Sequence, residues 1–168
     1  MPPIQLYIDT DVIVSYEMGD ESNSKESTEF MKFILGGERN PPIDCYTSRF
    51  SILEAVSAKK RRTHNTDQAY SLAYRMIATW KEKIVILDPP FKSFNDYIEK
   101  LIEISIEFET PAGDTVHAYC VKEYKMDYLI TWNKDHYKVL EEKIDQLSVL
   151  TPTEFMTEYQ KNNVIRQQ

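Results

Sequence analysis

Short, almost wholly apolar runs alternate with longer stretches of helical pattern along this chain, and that alternation leaves very few architectures open. The runs are "IQLYI" (4–8), "IDCYT" (43–47, the weakest), "KIVIL" (83–87), "DYLIT" (127–131) and "LSVL" (147–150). Between them lie helical patterns at "STEFMKFIL" (27–35, stopped by Gly36-Gly37), Ser48 to about Lys60, "TDQAYSLAYRMIATW" (66–80), "SFNDYIEKLIEISIEF" (93–108), "DTVHAYCVKEY" (114–124) and "HYKVLEEK" (136–143). Pro89-Pro90 ends the third run, because proline gives the ladder no N–H. Strands apolar at nearly every position are covered on both faces, and strand–helix alternation implies a parallel sheet. The expected class is therefore α/β, a three-layer α/β/α sandwich around a central, mostly parallel sheet. In such sheets ligands bind beyond the carboxyl ends of the strands.

The 168 residues suit one domain, 1–168, with a core over about 4–150 and a last helix at about 152–160. There is no repeat and no linker; "MGDESNSKES" is the expected mobile loop and "GGERNPP" the clearest breaker. No apolar run is long enough to span a bilayer, and the start "MPPIQLYIDTD" lacks a signal-peptide layout. No membrane partner is expected. Cys45 and Cys120 lie far apart without metal-ligand spacing, so buried reduced thiols and a cytoplasmic setting are expected. A net charge of −7 argues against a broadly basic nucleic-acid surface, yet "AKKRR" gathers Lys59, Lys60, Arg61 and Arg62 in one place. Such a run either favours a helix C-terminus or grips a phosphate chain locally.

The acids matter most. Asp9 ends the first run, where an unpaired carboxylate is costly; it either caps the following turn or holds something positive. Asp11 is open between support for Asp9 and a turn role. Glu54 lies in a helix whose apolar arc is Phe50, Ile52, Leu53 and Val56, and falls roughly 40° past Phe50, at the arc's margin. Asp114 heads an inward stripe with Ala118 and Val121; its helix feeds a parallel strand, so its N-terminus lies at the strands' carboxyl edge. Thr131, Asn133 and Asp135 leave that same edge, where Asn and Asp are also ordinary turn residues. Carboxylates gathered there repel one another, and a hard divalent cation relieves the cost. Oxygen-only ligands select Mg²⁺ or Mn²⁺, which can present a water for attack on a phosphodiester.

With these residues in hand the chain, from about Ile4 to Leu150, resembles the PIN-domain ribonucleases, many of them VapC-like toxins. The opening "hDTN/S" motif is matched by "IDTDVIV", with Asp11 at the usual Asn/Ser position. The helical glutamate is matched by Glu54 in "SRFSILEA", the third acid by Asp114 in "GDTVHAYC", and the last motif by "LITWNKDHY". The resemblance implies Mg²⁺- or Mn²⁺-dependent RNA cleavage with Asp9, Glu54, Asp114 and Asn133 at the catalytic site. Asp9 and Asp114 would hold the ion directly and Glu54 through a water or beside the nucleophile. It also implies RNA as substrate, an antitoxin partner and a homodimer. Asn133 departs from the frequent fourth carboxylate, and Asp135 is a candidate to compensate.

Two other readings stand beside this one. "DTDVIV" resembles the nucleophile motif of haloacid-dehalogenase-type phosphatases, but the later motifs come in the wrong order. A PIN-like domain that binds RNA or protein without cutting also accommodates Asn133.

Overall fold

The computed structural model describes residues 2–19, 22–37 and 39–165, with side chains as far as 161. Its strands are β1 (Ile4–Ile8), β2 (Ile43–Ser48), β3 (Ile84–Leu87), β4 (Tyr128–Ile130) and β5 (Ser148–Leu150). All four pairings are parallel, in the order β3-β2-β1-β4-β5. β1 is thus central, with Leu6 opposite Cys45 on one side and Tyr128 on the other.

Alternation along β1 builds two cores. Leu6 and Ile8 face a layer made by α1 (Thr10–Met18), α2 (Ser24–Leu35), α3 (Arg49–Thr63) and α8 (Pro152–Ile165), packing among Val12, Phe30, Met31, Ile52 and Phe155. Tyr7 faces the opposite layer, made by α5 (Phe94–Phe108), α6 (Thr115–Glu123) and α7 (Lys138–Lys143). There it joins Ile104, Ala118, Val121 and Leu140. On β4, Ile130 goes to the first core and Leu129 to the second. The expected three-layer α/β/α sandwich is what forms.

Local chemistry sets the element boundaries. α3 starts on a capping box in which the Ser48 hydroxyl accepts from Ser51 N–H at 3.0 Å and Ser51 reaches back to Ser48 N–H. α1 ends on Gly19, whose φ of 70° lies in the left-handed region that glycine enters without strain.

Three expectations need correction. The helix expected over 66–80 is α only to Tyr74 (α4, Thr66–Tyr74); Arg75–Thr79 widens to a π turn and Trp80–Glu82 tightens to 3₁₀. There Arg75 pairs with Glu17 of α1 and Trp80 buries against Tyr16, so tertiary contacts override the α pitch. Leu53 does not share the buried arc of α3: it is 61% exposed, and the inward residues are Ser51, Ile52 and Ala55. The expected loop at 18–27 is shortened by α2, which begins at Ser24, while residues 20 and 21 lie outside the described residues.

Leu129 is fully buried at the centre of β4. Leu129→Ala should cost about 2–5 kcal/mol of unfolding free energy in urea titration, as expected for a core cavity; a loss under about 1 kcal/mol would mean that the sheet is not packed on both faces there.

Candidate metal and phosphodiester site

The site is built where β1 and β4 end. Asp9 leaves β1 in an extended conformation, its N–H still bonded to the Ile130 carbonyl at 3.0 Å. Its Oδ1 caps α1 by accepting from Thr10 N–H at 2.6 Å. Its Oδ2 accepts from the Thr131 hydroxyl at 2.9 Å and the Tyr137 hydroxyl at 3.0 Å. Asp9 therefore caps the helix and also joins a network reaching across to β4. Burial, and then the charge of Asp9, hold the Tyr137 phenol well above its usual range, so it remains a donor.

Asp11 sits in the first turn of α1. Its Oδ2 accepts from Thr131 Oγ1 at 3.0 Å, Trp132 N–H at 2.8 Å and Asn133 N–H at 3.1 Å. One threonine hydrogen therefore has two carboxylates within reach and cannot serve both at once. The other oxygen, Asp11 Oδ1, is buried with no hydrogen-bond partner. Burial first, and then the charge of Asp9, push the Asp11 carboxyl up to about 8.

Glu54 reaches the site from α3. Its Oε2 accepts from Thr10 Oγ1 at 2.6 Å and from His117 Nε2 at 3.0 Å. Burial would raise this carboxyl, but the bonds from His117 and Thr10 outweigh it and hold the group below its usual range. Asp114 stands at the N-terminus of α6 without capping it; its Oδ2 accepts from His136 Nδ1 at 2.7 Å instead. Burial, then Asp9, raise its carboxyl.

These acids line one pocket of about 290 Å³, together with Thr10, Val14, Ala58, Arg61 and Asn133. Asp9, Glu54, Asp114 and Asn133 are thus brought to one place. Thr131 lies beneath them, wholly buried. Asp135 is exposed on the 3₁₀ turn Lys134–Tyr137 and is not among the pocket's lining residues, so the structure gives no support to compensation by it. The basic run divides: Arg61 lines the pocket because Glu54, Ala58 and Arg61 follow one helix face, while Lys59 donates to the Glu17 carbonyl at 2.8 Å. Lys60 ties the turn after α3 through the His64 carbonyl and Thr66, and Arg62 is exposed.

The donor set is all oxygen, and Asp11 Oδ1 is a buried oxygen without a hydrogen-bond partner on a residue that lines the pocket. Both features fit a hard divalent cation. Among the described residues, no three His, Cys, Asp or Glu side chains are drawn tightly enough together to close a coordination sphere. The fit is one of chemistry, with the donors arrayed around the pocket.

Sequence reasoning missed Tyr7, Thr10 and His117, and for Tyr137 it weighed stacking on an unpaired base against core packing, not a hydrogen bond to Asp9. For His117 the only sequence signal is its place three residues after Asp114; the burial of the whole Thr115–Val121 stretch appears only in the structure.

No family profile matches the sequence, and no curated protein matches it. Solved structures do. The Mycobacterium tuberculosis toxin VapC20, described as cleaving the sarcin–ricin loop, superimposes with a TM-score of 0.61 at 11% identity, over 84% of this chain and 97% of that one. VapBC-1 from nontypeable Haemophilus influenzae gives 0.55 at 15%, over 88% and 98%. FitAcB from Neisseria gonorrhoeae gives 0.54 at 15%, over 88% and 97%.

The fold is that of a VapC-like PIN domain. Coverage near the full length of each neighbour means that the whole PIN scaffold is present, while identities this low carry the fold and nothing finer.

The state of Asp11 has a pH signature in the metal-free protein. The unfolded chain releases this proton near the ordinary 3.8, whereas the folded protein keeps it to about 8. Across that window the native state binds more protons, so stability falls as pH rises. Melting temperatures in a chelator should decline over this range, and Asp11→Asn should flatten the decline and melt higher at its alkaline end. A variant with an unchanged slope would assign the dependence to other groups.

Proposed function

We propose that this protein is a metal-dependent ribonuclease that hydrolyses RNA phosphodiester bonds. The observation that carries the reading is one pocket at the carboxyl edge of a PIN sheet, lined by Asp9, Asp11, Glu54 and Asp114, with Arg61 among the lining residues. Asp9 and Asp114 would hold Mg²⁺ or Mn²⁺, with Asn133 trimming the shell and Thr131 fixing Asp9 from behind. The bound ion would supply an activated water and screen charge on the phosphate. Glu54, with Oε2 engaged by Thr10 and His117, keeps Oε1 available to orient the attacking water. Arg61 offers its guanidinium to a phosphate oxygen, for which its fork geometry is suited. Lys59, Lys60 and Arg62 flank it and add charge along the approach.

VapC20's description as a sarcin–ricin loop cleaving toxin and the VapBC and FitAB structures among the similar ones support a toxin role with an antitoxin partner. An exposed apolar row on α5, comprising Phe94, Ile98, Ile102 and Ile106, offers a surface for a protein partner or for a second copy of the chain. The non-cutting alternative rests on Asn133, an exposed amide where a carboxylate is frequent.

Incubation of a mixed RNA pool with the purified protein and Mn²⁺ should yield fragments, lost in chelator and reduced at least about 100-fold in Asp9→Asn and Asp114→Asn. Cleavage that persists in both variants overturns the assignment of the site; no cleavage by wild type under any divalent ion favours the binding module. Arg61→Ala should lower RNA affinity and reduce the salt slope by about 0.7, the share of one phosphate contact on a single strand. Lys59→Ala should change the slope less.

A further inference from the structure

We propose that His117 is a positioning residue that fixes which oxygen Glu54 turns to the pocket, an inference that rests on the ribonuclease reading above. The imidazole is 1% exposed, packed by the rings of Tyr7 and Phe50 with centroids 5.9 and 5.8 Å away. Its Nδ1 lies 2.9 Å from the Tyr7 hydroxyl. Burial holds that phenol well above its ordinary range, so it keeps its hydrogen and can either donate to Nδ1 or accept from it. A neutral imidazole accepting at Nδ1 carries its own hydrogen on Nε2, and an imidazolium carries one there too. Only these two forms put a hydrogen between Nε2 and the Glu54 carboxylate, whose oxygen can only accept, so Nε2 is the donor.

What faces Nε2 is the site itself. Glu54 Oε2 lies at 3.0 Å, with Asp9 Oδ1 and Thr10 Oγ1 each at 3.4 Å. Thr10 gives its hydrogen to the same Glu54 Oε2 at 2.6 Å. Two donors on one oxygen pin the carboxylate and leave the other oxygen free. That oxygen, Oε1, lies on the Gly113 side, where a Cβ at residue 113 would stand 3.8 Å away, next to Asp114. The relay Tyr7–His117–Glu54 thus runs from the central strand β1 through α6 to α3. It turns the Glu54 carboxylate so that Oε1 lies toward Gly113, the residue before Asp114. Metal-site carboxylates are commonly oriented by such hydrogen bonds from behind.

Two isosteric substitutions separate this role from packing. The amide of His117→Gln reaches about as far as Nε2, while that of His117→Asn reaches only as far as Nδ1. Calorimetric titration of Mn²⁺ into the metal-free full-length protein, without RNA, should show His117→Gln within about threefold of wild type and His117→Asn about 10- to 100-fold weaker. Equal affinities across the three proteins overturn the inference and leave the ribonuclease reading intact. A wild type that binds no Mn²⁺ overturns both. Should His117→Asn fail to fold, ¹⁵N NMR of the wild-type imidazole decides: hydrogen on Nε2 supports the relay, and a neutral ring with hydrogen on Nδ1 alone overturns it.

Discussion

Mutual repulsion among carboxylates governs the carboxyl edge of this sheet. Asp9 and Asp11 come from the end of β1 and the start of α1, Glu54 from α3 and Asp114 from α6, and all line one pocket. A parallel sheet places every strand end on that edge, so the crowding follows from topology. Each acid meets it differently: Asp9 accepts from Thr10 N–H and Tyr137 and shares the Thr131 hydrogen with Asp11, Glu54 accepts two bonds on one oxygen, Asp114 one from His136, and Asp11 holds a proton well into the neutral range. The divergence between Glu54, pulled down, and Asp11 and Asp114, pushed up, is set by how many donors each has relative to its burial.

Much of the scaffold was legible because it rests on short-range pattern. The five apolar runs became the five strands, and β1 matches its expected limits of 4 and 8. Misreadings fell where contacts from elsewhere set the geometry. The helix over 66–80 breaks at Arg75, whose partner Glu17 is remote in sequence. Leu53 points outward although its residue type argued for the core. At the site, acid positions followed from motif order and the strand-end rule. Their partners did not, because a histidine or tyrosine in an apolar stripe gives no hint of where its polar atom points. Tyr137 is a fully buried ring, yet its hydroxyl lands on Asp9.

Identities of 11% to 17% with structures of the same fold show how little of such a scaffold depends on particular side chains. Burial on both faces of five short strands, together with turns that permit parallel order, suffices. Asn133 and Asp11 both sit where the strands have already ended, so the register of the sheet does not depend on them.

The two thiols illustrate a further consequence of the layering. Cys45 packs into one core and Cys120 into the other, with the sheet between them. A bridge between sulfurs needs Cα atoms within about 7 Å and side chains that converge, which residues on opposite layers cannot offer. Oxidants therefore find no intramolecular crosslink to make in the native monomer. Any Cys45–Cys120 disulfide recovered from it would be a record that the three layers had come apart.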